Sequence, residues 1–135
     1  FRRVLFRSRH LRSGGRLVVD LYQPDLELLL EADGRLTSDG TVFDPATGHT
    51  IYRTTHRRVD MATQTQHITF ILDEVAADGA VRRTAFPFRM RFVFRFEMEL
   101  LLRLAGLSLE ALYGSYELEP FDSASEKMIF VAQAD

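Results

Sequence analysis

A handful of side chains are of types that could act on a small molecule. Tyr22 and Gln23 follow the apolar run Leu17-Val18-Val19, and Tyr113 and Tyr116 flank Gly114 and Ser115 after a second such run. Their hydroxyl and amide groups can orient a polar ligand by donating and accepting hydrogen bonds. Tyrosine also packs at strand ends with its polar tip in water, so both roles are open for these rings. Arg89 and Arg91 fall two residues apart, on one face of a strand, where they meet either an anionic substrate or solvent. The histidines His49, His56 and His67 lie on strands or their edges without the local pairing of a zinc site, and His10 sits at a helix end, where a cation is favoured. Absent cysteine excludes disulfides, thiolate metal sites and thiol nucleophiles. No Gly-x-Ser-x-Gly elbow or phosphate loop supports hydrolase or nucleotide-phosphate chemistry.

The elements that must hold these residues follow from periodicity. Arg9 to Arg12 reads as a helix end, stopped by Ser13-Gly14-Gly15. Arg16 to Tyr22 is nearly continuous in apolar residues, the pattern of a buried parallel strand. Pro24 and Asp25 open a short helix, Leu26 to Ala32, closed by Asp33-Gly34. Asp39-Gly40, Asp44-Pro45 and Thr47-Gly48 are turn signals, so 35–48 reads as a loop. Three antiparallel strands are expected next: His49 to Val59; Thr65 to Val75, with Ile68, Phe70 and Leu72 on one face; and Val81 to Arg95. Asp78-Gly79 makes the hairpin before the third, and Asp73 and Glu74 read as solvated at a strand end. Phe86, Phe88, Met90, Phe92 and Phe94 alternate on one face of the third strand, as a core face or as an apolar wall for a substrate.

The period then lengthens. Phe96, Leu100 and Leu104, with Leu101 and Ala105, form a helical stripe, supported by a Glu99–Arg103 pair and capped by Gly106. Leu107 to Tyr113 is a strand, 114–125 a loop, and Lys127 to Ala132 a closing strand.

Composition bounds the function classes. With 46% apolar and 27% charged residues, the 135-residue chain is ordinary globular protein, the size of one domain or a large piece of one. A formal charge of -2 supplies no reason to expect nucleic-acid or membrane binding, and no apolar run reaches the ~20 residues of a membrane span. The lack of cysteine suits a reducing, cytoplasmic compartment.

Residues 1–8, Phe-Arg-Arg-Val-Leu-Phe-Arg-Ser, match the translation of TTC AGA CGT GTG CTC TTC CGA TCT, the end of a common short-read sequencing adapter. They are set aside as non-native. Without Arg2, Arg3 and Arg7 the chain holds about 14 basic against 19 acidic residues, a net of about -5, which weakens any basic-arm reading further. The native protein is expected to continue upstream of Arg9.

Taken in order, 9–135 resembles the C-terminal half of class I S-adenosylmethionine-dependent methyltransferases. Leu11, Arg12, Ser13, Gly14 and Gly15 are similar to that family's Leu-x-Pro-Gly-Gly turn before its fifth strand, with Ser13 for proline. Leu101-Leu102-Arg103-Leu104-Ala105-Gly106-Leu107 is similar to its Leu-Leu-x-x-Ala-Gly-Phe helix end, and Met128 to Ala132 to its antiparallel seventh strand. The inserted sheet and the segment Leu112-Tyr113-Gly114-Ser115-Tyr116 resemble a bacterial small-molecule group. The resemblance implies an α/β fold: the C-terminal half of a Rossmann-like sheet with an inserted three-stranded antiparallel meander over 49–95. It implies S-adenosylmethionine as cofactor of the parent protein and a small-molecule substrate.

The same resemblance places Tyr22, Gln23, Tyr113 and Tyr116 at the carboxyl ends of parallel strands, where open α/β sheets bind ligands. Those four, with Arg89, are the candidate substrate-binding residues. The family's glycine-rich cofactor loop and its ribose-holding acid have no counterpart here. Gly14-Gly15 precedes a strand rather than following one, so it is not that loop. The chain alone is expected to be inactive and poorly soluble. A noncatalytic small-ligand-binding module built on the antiparallel sheet is the alternative, and a self-association sheet a third reading.

Overall fold

The computed structural model describes Val4 and residues 8–134; the adapter-like stretch lies almost wholly outside the described residues. In chain order the elements are β1 (Arg16–Tyr22), α1 (Leu26–Ala32), β2 (Leu36–Asp44), β3 (His49–Asp60), β4 (Thr65–Val75), β5 (Val81–Arg91), α2 (Arg95–Leu104), β6 (Leu107–Tyr113) and β7 (Lys127–Ala134). They divide into two compact units, one running to Pro24 and resuming at Val93, the other spanning Asp25–Phe92.

In the first unit the strand order is β1-β7-β6, and β7 runs antiparallel to both neighbours. The strands β1 and β6 therefore point the same way on either side of it. The strand β1 is buried on one face only, unlike the two-sided burial its apolar run predicts. Leu17, Val19 and Leu21 face the core, while Val18 and Tyr22 on the alternate positions are exposed. Ahead of β1, Ser8 is helical and Arg9 and His10 form the turn that follows it, the Leu11 amide donating to the Ser8 carbonyl at 3.1 Å, so a helix does end here, at the start of the expected 9–12 stretch. Gly14 then takes φ +75° in the turn before β1, and its amide donates to the Ala134 carbonyl at 2.9 Å.

The core of this unit is Leu17, Met98, Leu102, Leu107, Met128, Phe130 and Ala132. The face that α2 turns to it is not the stripe expected from periodicity. Met98 and Leu102 are buried, with Leu101 and Ala105 packed beside them, whereas Phe96, Leu100 and Leu104 are 70%, 57% and 69% exposed. Six apolar residues are shared between two sides of the helix, among Arg95, Glu97, Glu99 and Arg103, so spacing of three and four offers two stripes, and packing on the sheet selects one. Glu99 pairs backward with Arg95 at 2.8 Å, where a forward pair with Arg103 was expected. The Arg95 guanidinium also lies over the rings of Phe96 and Phe121, 5.2 and 5.6 Å from their centroids, which holds it on that side.

The second unit is a four-stranded antiparallel meander, β2-β3-β4-β5, rather than three-stranded. The extra strand β2 occupies the stretch expected as loop. Asp39-Gly40 is not a turn but part of a bulge between Ser38 and Gly40, where glycine takes φ +111°. The true hairpin is 44–48, with Asp44 accepting from the Ala46 amide and the Thr47 hydroxyl, both at 2.9 Å. At the other end β5 stops at Arg91, short of Arg95, because Arg95 begins α2. The short helix α1 is capped by Asp25, whose carboxylate accepts from the Leu28 amide at 3.0 Å, and Leu29 and Ala32 are its buried residues.

Two further expectations change here. Asp73 and Glu74 are ion-paired across the ladder, not simply solvated: Arg83 and Arg82 stand directly opposite them, Arg83 gripping Asp73 at 2.6 and 2.7 Å. Phe86, Phe88 and Met90 are 49%, 36% and 44% exposed, so this face of β5 is not closed over as a core. Only Phe92 of that alternation is buried in this unit.

Candidate functional site

Period-two alternation along β1 carries Asp20 and Tyr22 to the exposed side, away from the core. The register then assembles a group across the sheet. Tyr22 stands opposite Lys127, and Asp20 opposite Ile129, which is itself opposite Tyr113. Tyr22, Lys127, Asp20 and Tyr113 therefore share one face at one end of the three strands.

Tyr116 joins them from the 114–126 loop. Its hydroxyl donates to Asp20 Oδ2 at 2.5 Å, and Lys127 Nζ lies 3.4 Å from Asp20 Oδ1. The same ammonium sits over two aromatic faces, 4.5 Å from the Tyr22 centroid and 4.7 Å from that of Tyr116. One cation thus ties two rings and one carboxylate into a single constellation. The phenol hydrogen bond, with Lys127 assisting, holds the Asp20 carboxyl below its ordinary range, while the Tyr116 and Asp20 contacts raise Lys127. Both groups are charged near neutrality.

The loop that presents Tyr116 is pinned by backbone and side-chain hydrogen bonds. The Gly114 amide donates to the Glu119 carbonyl at 2.8 Å, and the Phe121 amide to the Leu112 carbonyl at 3.2 Å. Asp122 and Ser125 close its second turn through each other's side chains and amides. The loop surrounds an open hollow of about 770 Å³. Glu117, Glu119, Asp122 and Glu126 line it against one cation, Lys127. Such a lining favours a cationic or hydrogen-bonding ligand.

Three of the five expected site residues, Tyr22, Tyr113 and Tyr116, therefore meet at one end of the sheet. Gln23 is beside them: its amide donates to the Glu126 carbonyl at 2.9 Å, and its side-chain Oε1 is buried without a hydrogen-bond partner. A buried amide oxygen left unpaired is costly, which makes Gln23 a position where an incoming donor would be accommodated. Arg89 belongs to the other unit, on β5. Sequence reasoning missed Asp20 and Lys127. The available signals were a lone carboxylate inside an apolar strand, and a lysine that is the only one in a chain otherwise using arginine.

The acid response follows with a definite sign. Asp20 is depressed in the folded protein, so its contribution is present above the ordinary aspartate range and is lost as pH falls through the lowered value. Tyr116→Phe removes the principal cause of that depression. Carboxyl NMR titration of Asp20 is expected to show its midpoint rising in the variant; an unchanged midpoint would mean that the phenol contact does not form in solution.

No family profile matches this chain, and no curated protein does. Solved structures do. The CcbJ methyltransferase from Streptomyces caelestis is similar, with 25% identity and a TM-score of 0.71 over 98% of this chain and 51% of that one. An S-adenosylmethionine-dependent methyltransferase from Clostridium acetobutylicum gives 11% and 0.71 over 97% and 49%. CalS10, an amino pentose methyltransferase from Micromonospora echinaspora, gives 21% and 0.66 over 98% and 49%. The chain spans about half the length of the structures it matches, and its α/β fold is one found in S-adenosylmethionine-dependent methyltransferases.

The described residues do not fit that cofactor. An adenosine-bearing cofactor in an open α/β sheet sits against a glycine-rich turn that follows a strand and lets the backbone approach it closely. Gly14 and Gly15 come before β1, and a Cβ on Gly15 would stand 2.8 Å from the Arg12 carbonyl oxygen. That glycine serves a close approach within the chain itself. Among the described residues no cluster of histidines and carboxylates could hold a metal, and no helix is long and apolar enough to cross a membrane.

Proposed function

We propose that this chain is the C-terminal, acceptor-side half of a methyltransferase that moves a methyl group from S-adenosylmethionine to a small molecule. The observation that carries this reading is the match over 98% of the chain to half of a methyltransferase. In this reading the cofactor-binding half is the part of a methyltransferase that this chain does not cover, and the chain alone is inactive.

In this reading the residues present bind and orient the acceptor. Tyr22, Tyr113 and Tyr116 supply ring faces and hydroxyls, Gln23 an amide oxygen, and Lys127 with Asp20 fixes the two outer rings. Positioning of this kind accounts for much of the acceleration available to a group transfer between two bound molecules. The acidic lining of the hollow favours an acceptor bearing an amine, in keeping with the amino pentose named for CalS10. An amine reacts as the neutral base, so the ammonium form drawn to the carboxylates must first lose its proton, and the open hollow lets solvent take it.

The test is calorimetric titration of the intact parent protein with S-adenosylmethionine. Binding at one site per chain is expected. No binding would sink the proposal and favour a noncatalytic ligand-binding module. The observation on that side is the half-exposed apolar surface of Phe70, Phe86, Phe88 and Met90 on the four-stranded sheet.

A further inference from the structure

The strand β5 treats its arginines in two ways. Arg82 and Arg83 each stand opposite an acid, Glu74 and Asp73, and pair with it. Arg89 on the same strand stands opposite His67, and His67 in turn stands opposite Arg58. Three basic residues thus form one row across β3, β4 and β5, on one face, all exposed. Among the described residues no carboxylate lies within ion-pair distance of any of the three.

The row itself holds no carboxylate to offset Arg58 and Arg89; Asp60, from the neighbouring row, acts on His67 through its charge without forming an ion pair with it. The adjacent row is Asp60, Thr65 and Arg91, and together with Thr63, His67 and Arg89 these line a hollow of about 490 Å³. Its one carboxylate is already engaged. Asp60 accepts from the Ala62 amide at 3.0 Å, the Thr63 amide at 3.3 Å and the Thr63 hydroxyl at 2.7 Å. Arg91 Nη2 donates to Gln64 Oε1 at 3.3 Å, which holds that side chain at the rim.

We propose that the hollow lined by His67 and Arg89, with Arg58 opposite His67 on the next strand, binds a phosphate-class oxyanion. The chemistry matches: the Arg89 guanidinium presents paired N–H donors to two oxygens, the His67 ring adds an N–H donor, and Arg58 adds charge from the far strand. The site lies wholly within the second unit and does not depend on methyl transfer, so it stands or falls separately from the proposed function.

Titration of the intact parent protein, without residues 1–8, with inorganic pyrophosphate at low ionic strength tests it, read by calorimetry and by the His67 ring resonances. Saturable binding is expected in about the millimolar range, weakening with salt because the site is exposed. Arg89→Gln should weaken binding by about 10-fold. Arg83→Gln removes the same charge from the same strand and should change it less than about twofold. Equal losses in the two variants, no saturable binding, or equal binding of chloride would overturn the site as an adventitious charge effect. Thermal melting keeps the test clear of misfolding: pyrophosphate should raise the midpoint of the unsubstituted chain and of Arg83→Gln, but not that of Arg89→Gln. Tighter binding of phenyl phosphate than of inorganic phosphate would point to a phosphoester ligand, and the reverse order to free phosphate.

Discussion

Phe130→Ala is expected to lower stability by about 3–5 kcal/mol, measured as the loss in urea unfolding free energy. Phe130 is fully buried in the middle of β7, the central strand of its sheet, within the cluster formed by Met98, Leu102 and Met128. Truncation removes the ring's transfer free energy and leaves a cavity that α2 and two flanking strands cannot close without shifting together. Small domains hold only about 5–15 kcal/mol in all, so the variant should be largely unfolded at modest denaturant. Phe130→Leu keeps most of the volume and should cost far less, about 1.5 kcal/mol or below. A paired comparison on the helix tests which face packs. Leu102→Ala should cost about 2–5 kcal/mol, whereas Leu104→Ala, on the exposed stripe, should stay within about 1 kcal/mol. Similar losses at the two positions would show that α2 is rotated from the orientation described.

That helix shows where sequence is sufficient and where it is not. Its extent and its Gly106 end were legible, because a change of apolar period and a glycine at φ +71° are local facts. Its orientation was not, because Met98/Leu102 and Phe96/Leu100/Leu104 are equally good stripes until a sheet is present to choose. The strand boundaries of β1 and β6 fell where apolar runs begin and end. In contrast, β2 was hidden by Asp39-Gly40, a dipeptide that serves a tight turn and a bulge alike, and only pairing with β3 distinguishes them.

The candidate site divides in the same way. Tyr22, Tyr113 and Tyr116 were legible as rings at the ends of apolar runs. Asp20 and Lys127 were not, since they are 107 residues apart and meet only through the β1–β7 register. A carboxylate on one strand and a lysine on another carry no local pattern that joins them. Arg89 illustrates the converse: its possible anion role was visible from type and spacing, but its surroundings depended on which residue the register placed opposite it.

Gly114→Ala is expected to destabilise the chain by about 1–3 kcal/mol and to deform the loop that carries Tyr116. Gly114 begins the 114–126 segment directly after β6. A Cβ there would overlap the Ser125 hydroxyl, lie 2.8 Å from Ser125 Cβ and press to 3.4 Å on the Phe121 backbone. Ser125 cannot simply turn away, since its hydroxyl is held between the Asp122 amide at 3.0 Å and the Asp122 carboxylate at 3.1 Å. The two halves of the loop would therefore separate, carrying Tyr116 from Asp20 and uncovering one side of Lys127. The double variant Gly114→Ala/Ser125→Gly supplies the check. Removing the Ser125 side chain deletes the atoms that the new methyl meets, so stability lost in the single variant should be partly regained. A coupling of about 1 kcal/mol or more is expected between these two sites in urea unfolding. Strict additivity would mean that the loop does not hold Gly114 against Ser125, and the hollow beside Tyr116 would then lack the wall that shapes it for an acceptor.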